Sequence, residues 1–265
     1  VVVKGVAPWQ SHGNPTPRVA EVTSGMLNAI GLQGPGIDRF LHDEHYMPFL
    51  RKSGATTIVN IWGKKIEDYC EVAHRLDEDS EGIAALEINV SCPNVKEGGI
   101  AFGTDTEMMC KVVSAVRKAT GLPLITKLSP NVTKIADFAK AAEDAGSDMI
   151  SLINTIPAMA IDIETFRPKI ANVTGGFSGP AIKPIAVRMV YEAAHAVRIP
   201  VIGMGGITTG EDAVEFFLAG AKAVAVGTAI FADPMAPVKV IKGINDYLDR
   251  KGFKSVNDII GLFGR

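Results

Sequence analysis

Short apolar runs alternate with stretches of helical periodicity along this chain, and that alternation leaves few architectures open. The runs are VVVKGV (1–6), TIVNIWG (57–63), AALEINVSC (84–92), LITKLS (124–129), MISLINT (149–155), PVIGMGG (200–206) and AVAVGTA (223–229). Nearly all are apolar on both faces, as parallel strands covered by helices on each side must be. Parallel neighbours need a long crossover, which the helical stretches supply. Two of those stretches open with a capping-box pattern, Thr104-x-x-Glu107 and Thr208-x-x-Glu211. The runs number seven, which suits an open doubly wound sheet or a (β/α)8 TIM barrel lacking one strand. Val1 stands inside an apolar run, so the barrel reading expects a first strand ahead of it, absent from this sequence. No boundary, repeat or low-complexity segment interrupts residues 1–265, so a single domain is expected. The stretch 156–183 carries turn signals and is long for a βα loop, and long loops are usually functional.

Composition narrows the function classes. Apolar residues make up 47% and charged residues 21%, the balance of a soluble globular protein. A net charge of −2 gives no basic surface for nucleic acid. No apolar run approaches the roughly 18 residues that span a bilayer, so no membrane association is expected. The opening residues lack a charged leader and a cleavage site. Three cysteines, an odd number, argue against a disulfide framework and fit a reducing cytoplasm.

In a barrel, reactive groups gather at the C-terminal ends of the strands. Here the runs end in Lys4-Gly5, Asn60, Asn89 with Ser91 and Cys92, Lys127, Asn154-Thr155, Gly205-Gly206 and Gly227-Thr228. The asparagines and glycines also suit ordinary turns. Lysines within apolar strands do not, because Lys is rarely buried unpaired, so Lys4 and Lys127 read as functional. Gly205-Gly206 and Gly227-Thr228 follow the last two strands, where barrels often bind phosphate through backbone amides. Thr208 and Glu211 would open a helix facing that phosphate. Cys92, at a strand end before Pro93, is placed to act as a base, since a thiol titrates near pKa ~8.5. The competing reading is a buried, inert thiol. Cys70 and Cys110 lie on helical faces and read as core. His42 and His45 fit a solvated face better than a metal site, and no metal is expected. No CxxC, HExxH, nucleophile elbow or strand-following GxGxxG occurs. Asn28, Asn60, Asn89 and Asn154 each offer a donor and an acceptor, which together suit a pyrimidine or a flavin. Asn28, in a loop, also suits a turn.

At this point several motifs resemble one family. Gly25-Met-Leu-Asn28-Ala29-Ile30-Gly31-Leu32-Gln33, Asn89-Val-Ser-Cys92-Pro-Asn, Ser151-Leu-Ile153-Asn154-Thr155, Ala171-Asn-Val-Thr-Gly-Gly-Phe-Ser-Gly179-Pro and Ile202-Gly-Met-Gly205-Gly206-Ile are similar to class 1 dihydroorotate dehydrogenases. The likeness runs from Val1 to the C-terminus in the family's order. The Asn-Ala-Ile-Gly-Leu-Gln wording resembles the class 1B catalytic subunit. The resemblance implies oxidation of dihydroorotate to orotate in pyrimidine synthesis, with one FMN per subunit as hydride acceptor and Cys92 as base. It implies FAD and a 2Fe–2S cluster on a partner subunit that passes electrons to NAD. The assembly implied is a homodimer core joined by that subunit into a heterotetramer.

By resemblance, Lys4 touches both flavin and substrate, and Lys127 lies at the flavin N1/O2 edge. The orotate site comprises Asn28, Ala29, Ile30, Gly31, Leu32, Asn89, Asn154 and Thr155. The FMN contacts comprise Gly5, Asn60, Asn89, Ile153, Gly179, Gly205, Gly206, Gly227 and Thr228. The loop around Cys92 acts as a lid. Gly34 departs from the family, which usually has Asn there, and this departure is expected to soften a turn. Three rivals remain: the fumarate-using class 1A enzyme, a dihydropyrimidine dehydrogenase-like FMN barrel, and a degenerate barrel that binds a phosphorylated ligand. The Asn28–Leu32 loop and the lack of a cysteine cluster disfavour the second, and the intact Lys4, Cys92 and Lys127 disfavour the third.

Overall fold

A computed structural model describes residues 1–90, 96–97, 100–101 and 103–264. The chain divides into two compact units. The first comprises Val1–Asn14, Ile30–Ser129 and Lys140–Ile150. At its centre the strand Ile83–Asn89 pairs in parallel with Thr57–Ile61 on one side and Leu124–Lys127 on the other. Val59, Ile61, Leu86, Ile88 and Leu124 are fully buried. Each such side chain contributes roughly 1.5–3 kcal/mol relative to exposure. Helix Ile66–Glu78 buries Tyr69, Val72, Ala73 and Leu76, and helix Thr106–Ala119 buries Met109, Val112, Val113 and Val116. Spacings of three and four residues put each set on one helical face.

The run 1–6, expected as a full strand, pairs through two parallel bridges, Val2 to Ile58 and Val6 to Ile61. The Val3 and Val6 amides donate to the Ile58 and Asn60 carbonyls. Gly5 lies between the bridges, and a Cβ there would come 2.7 Å from the Trp62 ring.

The second unit comprises Pro15–Ala29, Pro130–Ala139 and Ser151–Arg265. Within it Val201–Met204 runs parallel to Ala223–Ala225. Helices Lys183–Ala196, Gly210–Leu218 and Ala236–Lys251 each bury one apolar face. Gly210 and Gly243 let two of these helices touch, since a Cβ on Gly210 would fall 2.3 Å from the Gly243 backbone. Helix Ile135–Asp144 and strand Met149–Leu152 begin in one unit and end in the other.

The second unit also holds an antiparallel sheet, ordered Val19–Val22, Gly25–Asn28, Thr174–Ser178, Ile156–Met159. It encloses Leu27, Ala29 and Ile170, with Ala20, Val22, Ala158, Ala160 and Phe177 packed around them. The stretch 156–183, expected as a loop, instead carries four short strands. Its edge carries a small hairpin, Ile161–Asp162 with Arg167–Pro168. Gly175-Gly176, a pair that suits a turn, is mid-strand: a Cβ on Gly176 would collide with the Thr155 side chain.

Both caps shift by one residue, and only the second forms a box. Asp105, not Thr104, caps its helix, accepting from the Glu107 and Met108 amides. Thr209 caps Gly210–Leu218 and forms its box with Asp212 rather than Glu211. In both cases the carboxylate adjacent to the expected position has the better reach to free amides. Among the described residues no helix is long and apolar enough to cross a membrane.

Candidate functional site

The first unit gathers four of the expected residues. The parallel register puts Asn60 beside Glu87 and Asn89 beside Lys127. Side chains two apart on a strand share a face, so Glu87 and Asn89 point the same way. Asn60, Glu87 and Asn89 are all buried. Asn60 Nδ2 donates to Glu87 Oε2 at 2.6 Å. Asn89 Nδ2 donates to Asn60 Oδ1 at 3.5 Å. Lys127 Nζ lies 3.8 Å from the same Glu87 oxygen. The Tyr69 hydroxyl donates to the Asn89 carbonyl and ties the strand end to helix Ile66–Glu78. Gly5 adjoins this group: its carbonyl accepts from Trp62 Nε1, and a Cβ on it would lie 3.1 Å from Asn60 Oδ1.

Glu87 is a site residue that sequence reasoning passed over. Its signal was present: an acidic residue inside the apolar run AALEINVSC. Lys4, by contrast, is exposed, so the argument from a buried lysine does not hold for it. Lys127 is half-buried, with a side chain 20% exposed, and it faces Glu87, so it is not a buried unpaired lysine either.

Ile30, Gly31 and Leu32 also belong to the first unit. The Asn14 amide donates to the Ile30 carbonyl. Gly31 and Leu32 both adopt positive φ, at 75° and 55°. That conformation is uncommon for a leucine, and such strain clusters at ligand-binding turns. Gly34 is tighter than expected for a softened turn, since a Cβ there would stand 2.8 Å from the Gly5 carbonyl oxygen.

The second unit gathers two further groups. In one, Asn28 pairs across the sheet with Gly176, and its Nδ2 donates to the Gly176 carbonyl at 3.4 Å. Thr155 packs against the same glycine. Asn154 Oδ1 accepts from the Thr155 amide, and Asn131, which the sequence reading missed, donates to the Thr155 carbonyl. Ala29 is buried beneath this sheet.

In the other group, Ile153, Gly179, Gly205 and Gly206 converge. Gly205 and Gly206 have φ of 127° and 80°. A Cβ on Gly205 would stand 3.2 Å from Ile153, and one on Gly206 would stand 2.9 Å from the Gly179 carbonyl oxygen. Asp212 anchors the turn that follows. It accepts from the Thr208 and Thr209 amides, the Thr208 hydroxyl and Lys183 Nζ. Burial pushes Asp212 up, but these donors outweigh it and hold the carboxyl well below the usual range. Burial likewise works to lower Lys183, and its bonds to Asp212 and Glu215 outweigh that, leaving its pKa raised. Gly227 and Thr228 follow the neighbouring strand, and a Cβ on Gly227 would meet nothing within 4 Å.

Cys92 and its loop lie outside the described residues. Cys70 and Cys110, expected as core, are half-buried; burial pushes both thiols up, and Cys110 Sγ donates to the Ala141 carbonyl. His45 Nδ1 lies 2.8 Å from Asp43 on an exposed turn.

Each unit, taken by itself, holds donors that suit a part of a flavin. In the first unit two amides and an ammonium suit the carbonyl and ring-nitrogen acceptors of an isoalloxazine edge. In the second, glycine turns after neighbouring parallel strands suit a phosphate, because their amides are unshielded by side chains.

The family model for dihydroorotate dehydrogenase matches residues 1–248. The chain is 57% identical over 263 residues to the dihydroorotate dehydrogenase B (NAD(+)) catalytic subunit of Alkaliphilus metalliredigens, spanning 98% of this chain and 85% of that one. The subunit of the same name from Bacteroides fragilis is 54% identical over 261 residues, with the same coverage. A crystal structure of DHODH from Eimeria tenella in complex with ferulenol superposes with a TM-score of 0.81 at 24% identity, covering 98% of this chain and 78% of that one. That likeness gives the fold as an α/β barrel of the TIM type. The chain belongs to the dihydroorotate dehydrogenase family, and within it to the B-type catalytic subunits.

Proposed function

We propose that this chain oxidises dihydroorotate to orotate with FMN as its resident acceptor. The observation that carries the reading is the group of buried Asn60, Glu87 and Asn89 with half-buried Lys127, toward the C-terminal ends of adjacent parallel strands. The names of its relatives support the substrate. When bound, the flavin supplies a two-electron acceptor for the hydride that leaves C6 of the substrate. Cys92 takes the C5 proton, so one proton and one hydride leave together and the ring gains its double bond. Lys127 stands at the N1/O2 edge, where an ammonium favours the charge that gathers on reduction. Asn60 and Gly5 hold the ring, with Ile153 and Gly179 against it. Gly205, Gly206, Gly227 and Thr228 hold the phosphate. Lys4, Asn28, Ala29, Ile30, Gly31, Leu32, Asn89, Asn154 and Thr155 bind the substrate's carbonyl, N–H and carboxylate groups.

Electrons then leave through a partner subunit carrying FAD and a 2Fe–2S cluster, with NAD as final acceptor, around a homodimer of this chain in the cytoplasm. The words "catalytic subunit" in the relatives' names support a partner. Orotate absorbance during turnover with an artificial acceptor tests the reaction. NAD reduction that appears only after the partner subunit is added tests the route. Orotate formation that needs fumarate instead would favour the class 1A reading.

A further inference from the structure

Glu87 is 2% exposed, in a strand whose neighbours Leu86 and Ile88 are core. A glutamate is almost never buried so deeply without a charged partner. Any apolar residue would fill the position without that penalty, so the carboxylate needs a reason to be there. Its contacts supply one. A single oxygen, Oε2, takes the Asn60 amide at 2.6 Å and faces Lys127 Nζ at 3.8 Å. Because Asn60 spends its Nδ2 on Glu87, its Oδ1 is left to accept from Asn89. The carboxylate thereby fixes which way the Asn60 amide points. It also sets a negative charge beside the one half-buried lysine of this group.

We propose that Glu87 is a positioning residue: it orients Asn60 and partly offsets the charge that Lys127 presents to the flavin edge. This rests on the reading under Proposed function. The consequence is a specific sign. A carboxylate near Lys127 weakens the ammonium's pull on electrons, so it holds the flavin's reduction potential down. Glu87→Gln keeps an oxygen for Asn60 but removes the charge, and the flavin becomes easier to reduce.

The test is the midpoint potential of the bound flavin in the flavin-loaded holoenzyme, measured against a reference dye. Glu87→Gln should raise the reduced-to-oxidised ratio at fixed potential by about tenfold, which is ~30 mV for a two-electron couple. A purely structural residue would loosen the flavin or lower the melting temperature without that directed shift. An unchanged or lowered potential in Glu87→Gln overturns the proposal. If Glu87→Gln does not fold, Glu87→Asp draws the charge back by one methylene and should shift the potential the same way by less. A potential at or below wild type in Glu87→Asp overturns it equally. Wild-type protein that holds no flavin, or whose flavin ignores dihydroorotate, takes down the parent reading and this one together. Wild-type protein that does both, with variants at the wild-type potential, takes down the Glu87 role alone.

Discussion

Asp212→Ala tests how the turn after Gly205-Gly206 is held. The carboxylate accepts four hydrogen bonds: two backbone amides, the Thr208 hydroxyl and Lys183 Nζ at 2.6 Å. Its side chain is only 15% exposed, so screening by solvent is limited. Losing the charge-assisted pair costs about 1.5–3 kcal/mol, and the lost box at the helix start adds about 1 kcal/mol. The sum, about 2.5–4 kcal/mol, corresponds to a fall in Tm of roughly 5–15 °C for a chain of this size. The pH dependence follows from the depressed carboxyl. A carboxyl whose folded pKa lies below its unfolded value, ~3.9, contributes stability above that value and loses it as pH falls through the folded pKa. Calorimetry on wild type and variant across the acid range should therefore show the gap closing as pH falls below ~4. A loss under ~1 kcal/mol at neutral pH, or a gap that stays constant into acid, would refute the reasoning.

Three further outcomes are expected. Gly206→Ala should cost about 1–2 kcal/mol for its positive φ alone, with more from the approach to Lys183 and the Gly179 carbonyl, and should lower flavin retention on gel filtration. Cys92→Ser should lower turnover at pH 7 by roughly 100-fold or more and recover in part at high pH, because a hydroxyl is the weaker base; near-wild-type rates at neutral pH would exclude the thiol as base. Lys127→Ala should slow flavin reduction in stopped flow more than it weakens orotate binding; equal losses in both would count against a place at the N1 edge.

The parallel core was legible because buried strands leave an unbroken apolar signature, and six of the seven runs contain a strand where expected. The antiparallel sheet was not. Val19–Val22 and Gly25–Asn28 are four residues each, and Ile156–Met159 and Thr174–Ser178 contain Pro157 and Gly175-Gly176, which read as breaks. Two short hairpin-like pairs, Val19–Val22 with Gly25–Asn28 and Ile156–Met159 with Thr174–Ser178, become one sheet only by pairing across about 150 positions of sequence, which no local pattern carries. The site was legible where a polar residue ended an apolar run, as at Asn60, Asn89, Lys127 and Asn154. Glu87 was hidden because it sits within its run, and only the register with Asn60 gives it meaning. Lys4 shows the converse: position in an apolar run does not make a side chain buried when the run is only a bridged edge.

The most direct measurement is an anaerobic addition of dihydroorotate to the flavin-loaded holoenzyme while the flavin band is followed. The band should bleach as orotate forms, one orotate for each flavin reduced. A bound flavin that keeps its colour with dihydroorotate present would contradict the proposed reaction.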